Sequence, residues 1–197
     1  GGLARRMGGG DKPLRQVAGQ AILDHVVARM APQCDALILN ANGDPARFSS
    51  FGLTVLADPI PDHPGPLAGI LAALDWANDH WPADAFVLIV PGDCPFLPDD
   101  LALRLKAAAE ERNTSIALAS SGGRRHPVVG LWRVGLAGAL RAALIEEGLR
   151  KVGAFIDRYR SAVVEWPDQP IDPFFNANSE ADLREAERLI AQLSLGR

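Results

Sequence analysis

The chain is poor in cysteine, in grouped histidine and in unbroken apolar sequence. Only two of its 197 residues are cysteines, Cys34 and Cys94, far apart and without metal-ligand spacing. That excludes a disulfide scaffold and a structural zinc site. The four histidines, His25, His63, His80 and His126, do not cluster, which argues against a histidine-based triad or zinc centre. No apolar run reaches the roughly 18 residues of a membrane span, and no signal-peptide pattern opens the chain. We therefore expect a soluble, cytoplasmic protein without a membrane partner. Positive charge is not in excess either: 20 Lys and Arg stand against 24 Asp and Glu, for a net charge of −4. The chain lacks the electrostatic footprint of a nucleic-acid binder. Internal repeats, low-complexity tracts and linkers are also missing.

What is present is globular. Hydrophobic residues make up 48% and charged residues 22%, close to the averages of folded domains, which excludes disorder. A fold of this size buries roughly 70% of its unfolded surface, enough for a sizeable core. We expect one domain over residues 1–197.

Strand-like and helix-like segments alternate. Residues 21–30 place Ile22, Leu23, Val26, Val27 and Met30 on one helical stripe. Residues 36–39 form a short apolar run that ends in Asn40-Ala41-Asn42-Gly43-Asp44, and 53–56 repeat that design up to Asp58-Pro59. A helix is expected over 67–76, behind Pro64-Gly65-Pro66. Residues 85–90 are apolar on both faces, as a central parallel strand requires. Further helices are expected over 98–111 and 136–147, with strands over 115–119, 126–132 and 163–166. Ser179 and Asp182 have the spacing of a capping box for a last helix. This βαβα rhythm predicts an open, mostly parallel sheet with helices on both faces. Ligands of such folds bind beyond the carboxyl ends of the strands, where Asn40, Asp58 and Asp93 all lie.

Chemistry-bearing residues concentrate in a few places. Gly1 through Lys12 combines five glycines with Arg5, Arg6 and Lys12. Glycines let backbone N–H groups approach phosphate oxygens, and the cations offset charge growing on a leaving pyrophosphate. The alternative is a glycine-rich terminus with solvated arginines. Pro13 after Lys12 rules out a Walker A loop. Loops of this kind are normally anchored by a preceding strand, so an apolar strand-forming segment upstream of Gly1 is expected. Asp93, in Val90-Pro91-Gly92-Asp93-Cys94-Pro95-Phe96, is a candidate hard-metal ligand, because Mg²⁺ takes one or two carboxylates plus phosphates and water. Asp99 and Asp100 suit the cap of the following helix better than Asp93 does. Asp58 before Pro59 reads equally as a turn residue, and Asn40 and Asn42 as loop formers. Cys94 reads as a buried structural thiol. Arg124-Arg125 and Arg150-Lys151 are basic pairs that only an anionic substrate would engage.

With these residues in view, the chain resembles the molybdenum cofactor guanylyltransferases. Five pieces carry the likeness: Gly1 to Lys12; Asn40-Ala41-Asn42; Asp58 with Pro64 to Gly69; Pro91 to Phe96; and Phe175-Asn176-Ala177-Asn178-Ser179. The first and fourth mark the wider nucleotidyltransferase superfamily, and the others narrow the choice. The resemblance implies an α/β, three-layer Rossmann-like nucleotidyltransferase fold. It implies transfer of GMP from GTP to the phosphate of molybdenum-molybdopterin, with Mg²⁺ as cofactor. It assigns Gly1, Gly2 and Lys12 to the GTP site, Arg6 and Gly9 to its phosphate loop, and Asn40 and Asp58 to nucleotide contacts. Asp93 becomes the Mg²⁺ ligand, and Asn176 and Asn178 the pterin side of the cleft. Arg6, Lys12 and Asp93 are the expected catalytic groups. Transient contacts with cofactor-supplying and molybdoenzyme-maturation proteins are expected as well. The chain departs from the family pattern at Gly43, where a basic residue often stands, at Lys151 for an arginine, and at Ser179-Glu180 for Thr-Pro. Rival readings are a cytidylyltransferase for the same cofactor, a sugar-phosphate nucleotidyltransferase, or a binding protein without catalysis.

Overall fold

A computed structural model describes residues 11–60 and 65–195. Gly1, Gly2, Arg6 and Gly9, expected in the phosphate loop, lie outside the described residues, as do His63 and Pro64. After a 3₁₀ turn over Lys12–Leu14, strands β1 (Gln16–Val17) and β2 (Gln20–Ala21) form a small antiparallel ribbon. Helix α1 (Ile22–Met30) follows at once and buries Ile22, Leu23, Val26 and Met30 of the predicted stripe, with Val27 half-buried at its edge. The Asp24 carboxylate accepts the Ala21 N–H at 3.0 Å and closes its first turn.

Strands β3 (Ile38–Asn40) and β4 (Thr54–Leu56) pair in parallel, Asn40 opposite Leu56. Helix α2 (Pro66–Asn78) starts on the expected proline and is apolar on most sides, so it is buried along much of its length. Then come β5 (Phe86–Ile89), α3 (Leu101–Glu111), β6 (Ile116–Ser121), β7 (Arg124–Arg133), α4 (Ala137–Ile145), α5 (Val152–Ile156), β8 (Ser161–Trp166) and α6 (Glu180–Leu195). The larger sheet has the order β5-β7-β6-β8.

That sheet is mixed. β8 is parallel to β6, but β7 runs antiparallel to both β6 and β5. The reason is local: Gly122 and Gly123 both have positive φ, 54° and 73°, the geometry of a two-residue hairpin turn. The turn folds β7 back along β6, where the sequence rhythm suggests a parallel sheet. The central strand also differs from expectation. Every residue of β6 is buried between two neighbours, while β5 is half-buried and pairs, among the described residues, with β7 alone.

Three layers result. Alternate β6 residues point to opposite faces. Ala117 and Ala119 meet Leu101, Leu105 and Ala109 of α3 together with Leu23, Val26 and Met30 of α1. On the other face Ile116 and Leu118 meet Leu67, Ile70, Leu71 and Leu74 of α2, Leu140 of α4 and Phe155 of α5. A third cluster docks α6, through Leu183, Ala186 and Leu189, on Val17, Ile22 and Phe96. The expected capping box forms: Ser179 N–H donates to Asp182 Oδ2 at 2.8 Å and Asp182 N–H to Ser179 Oγ at 3.2 Å. The cap of α3 does not form as expected. Asp99 pairs with Arg29, Asp100 accepts the Trp166 indole N–H, and the Gln33 amide oxygen receives Ala102 N–H instead.

Candidate active site

β3 and β5 do not pair with each other; a cleft of about 1770 Å³ opens between them. Asn40, Asp58, Gly69, Lys12, Asp93 and Asn176 all line it.

Beyond the ends of β3 and β4 the two following loops brace each other. Asn40 Nδ2 donates to Asp58 Oδ1 at 3.0 Å and to Leu56 O at 3.1 Å. Asn42 Nδ2 donates to Asp58 Oδ2 at 2.6 Å, and Asp58 N–H returns a bond to Asn42 Oδ1 at 2.8 Å. Asp58 is thus more than a turn residue: both its oxygens hold asparagines from the neighbouring loop. Gly69 sits against this brace, and a Cβ there would collide with Asn40 Oδ1. Its place in the motif reflects that close approach. Arg47 adds a link that sequence reasoning missed. It donates to Asn42 O at 2.5 Å and to Asp44 O at 2.9 Å, and it forms an ion pair with Asp11. The only sequence hint was the Asp44-Pro45 turn that starts its 3₁₀ segment.

Beside this brace, which Arg47 ties to Asp11, four positions distant in sequence converge. Lys12 Nζ donates to Asn178 Oδ1 at 2.8 Å, across 166 residues. Ala177 N–H donates to Asp93 O at 3.0 Å, which brings the 176–178 segment beside the end of β5. The Asn176 side chain favours the charged form of the Asp93 carboxylate, and its Oδ1 is buried without a hydrogen-bond partner. Burial raises the Asp93 pKa above the ordinary aspartate value, against the pull of the Lys12 ammonium and the Asn176 amide. A desolvated carboxylate beside an orphaned amide oxygen is an oxygen-donor set suited to a hard cation. Among the described residues no group of three or more His, Cys, Asp or Glu is gathered to hold a metal. A cation here would rely on few protein ligands and on substrate oxygens. Cys94 is buried, and desolvation pushes its thiol pKa well above the usual range, which leaves it inert as a nucleophile. Arg124, Arg125, Arg150 and Lys151 do not line the cleft.

Residues 1–165 match a family model described as the MobA-like NTP transferase domain. A molybdenum cofactor guanylyltransferase of Bradyrhizobium sp. is 60% identical over 191 residues, covering 97% of this chain and 90% of that protein. One from Nitrobacter hamburgensis is 58% identical and covers 97% and 91%. Among solved structures, the molybdopterin-guanine dinucleotide biosynthesis protein A of Archaeoglobus fulgidus has the same fold, with a TM-score of 0.75 at 22% identity. That match covers 98% of this chain and 96% of the other. Fold and family model together define a nucleotidyltransferase. The chain belongs to the molybdenum cofactor guanylyltransferase family.

Proposed function

We propose that the cleft holds GTP and molybdenum-molybdopterin side by side and transfers GMP to the pterin phosphate, releasing pyrophosphate. The observation that carries this reading is the convergence of Lys12, Asp93 and Asn176 in the cleft, with Asn178 bonded to Lys12. The braced Asn40–Asp58 loops line the same cleft. The pterin phosphate attacks the α-phosphorus in line, and the bond to pyrophosphate breaks. No side chain needs to form a covalent intermediate. Lys12 donates to phosphate oxygens and offsets charge on the departing group, helped by Arg6 and the glycine loop with Gly1, Gly2 and Gly9. Asp93, with Asn176 Oδ1 beside it, would hold Mg²⁺. When bound, that ion offsets phosphate charge and favours the in-line geometry. Asn176 and Asn178 are bifunctional amides able to match the mixed donor and acceptor edge of a pterin. Positioning and electrostatics then carry most of the rate, as in phosphoryl transfer generally.

Guanine is the base that suits the brace. Asp58 immobilises the 40–42 loop, and backbone carbonyls so held can accept guanine N1–H and N2–H₂. A site built this way rejects other bases strongly, since its own polar groups would be left unpaired. Both cysteines are free thiols, as suits the reducing cytoplasm, where transient cofactor-supplying and molybdoenzyme-maturation partners would meet it. The test is product formation from labelled GTP with intact cofactor, alongside melting curves with GTP, CTP and ATP, each with Mg²⁺. Dinucleotide product and a GTP-selective rise in melting temperature are expected. Equal stabilisation by CTP and GTP would remove the guanine assignment, and binding without product would remove catalysis.

A further inference from the structure

Away from the reacting groups, three polar side chains form a chain with one allowed direction. Ser121 Oγ lies 2.8 Å from Asp172 Oδ1 and 2.8 Å from His126 Nε2. Ser121 has a single hydroxyl proton, and an ionised carboxylate only accepts. Ser121 therefore donates to Asp172, and His126 Nε2–H donates to Ser121. The same Asp172 oxygen also accepts Phe174 N–H at 2.9 Å, and Asp172 O accepts Phe175 N–H at 3.1 Å. Asp172 thereby shapes the turn that delivers Asn176.

The surroundings make this chain costly to break. Ser121 is 3% exposed and closes the β6 side of the hairpin turn. The His126 ring lies 4.8 Å from that of Phe174, which in turn meets Trp166 edge-on at 5.6 Å. Asn176 is thus pinned between two anchors: the Asp172 turn on one side and the Ala177 bond to Asp93 on the other.

We propose that Ser121, His126 and Asp172 form a positioning relay that fixes the Asn176–Asn178 segment at the transfer site without touching substrate. This rests on the functional reading above for its kinetic consequence, but not for its structural one. Ser121→Ala removes a donor from the half-buried Asp172 carboxylate, and hydrogen bonds to charged groups are strong enough for a loss of about tenfold in kcat. Ser121→Thr keeps the hydroxyl and should restore most of it, with the KM for GTP little changed in both. In an Asn176→Ala background, Ser121→Ala should have almost no further effect on kcat, because the relay acts through Asn176. If Ser121→Ala fails to fold, the isosteric Asp172→Asn is read in the same cycle. A second readout needs no turnover: the side-chain amide NMR signals of Asn176 and Asn178 should shift in Ser121→Ala and return in Ser121→Thr. Parent-like kcat with unmoved amide signals, or fully multiplicative losses in the double variant, would overturn the relay. If the parent forms no product while the amide signals respond, the functional reading fails and the relay stands.

Discussion

Asp93 carries its charge in a place that resists it. Its pKa in the folded protein is raised, chiefly by desolvation, so ionisation there costs folding stability. Below the unfolded-state value of about 4 both states are protonated and the cost is absent. As pH rises through the folded-state pKa the cost reaches its full size and then stays. Asp93→Asn should therefore melt higher than the parent at pH 7, and that gain should shrink and vanish as pH falls below about 4. The same variant should lose at least ~100-fold in transfer, because it lacks the charge that would hold Mg²⁺, and a bound cation contributes several kcal/mol to stabilising the transition state. Melting curves and turnover on one preparation check both outcomes. Parent-like turnover would move the metal role to another carboxylate, and an unchanged melting temperature at pH 7 would mean the carboxylate is better solvated than its surroundings indicate.

Among the elements, α2 is where stability and function pull apart. Gly69 lies inside this helix, where alanine is ordinarily favoured over glycine by about 1 kcal/mol. Yet a methyl group there meets Asn40 Oδ1, the amide that braces Asp58. Gly69→Ala should leave the melting temperature within a few degrees of the parent, since helix propensity and the displaced amide offset each other. GTP affinity should fall by about tenfold, the equivalent of one lost hydrogen bond to a charged group. Isothermal titration with GTP decides it, and unchanged affinity would mean that Asn40 turns aside without cost. The Asp58 brace itself was only half legible. Asn40, Asn42 and Asp58 stand out as polar residues at strand ends, but their mutual bonding depends on β3 and β4 lying side by side.

For the molecule as a whole, the cleft divides the sheet structure. β3–β4 lie on one side and β5-β7-β6-β8 on the other, with α1 and α2 lining the space between. Edges of β3 and β5 that face such a space present backbone groups able to pair with another strand.

Much of this protein is written in local pattern. The α1 stripe, the proline start of α2, the Ser179–Asp182 capping box and the strand-end positions of Asn40, Asp58 and Asp93 follow from spacing and from residue chemistry, which act over a few residues and need no distant partner. The direction of β7 is a local matter too, set by Gly122-Gly123, yet easily passed over within an alternating rhythm. Other features depend on chain packing. Gln33 caps α3 from 69 residues away, Lys12 reaches Asn178 across 166, and Ser121 finds Asp172 across 51. Such pairs leave no periodic trace, because their spacing is fixed by how the layers stack. The sharing of one cleft by Asp93 and Asn176 of a late loop belongs with them. It exists only once α6 docks on Val17, Ile22 and Phe96 and carries that loop back to the end of β5.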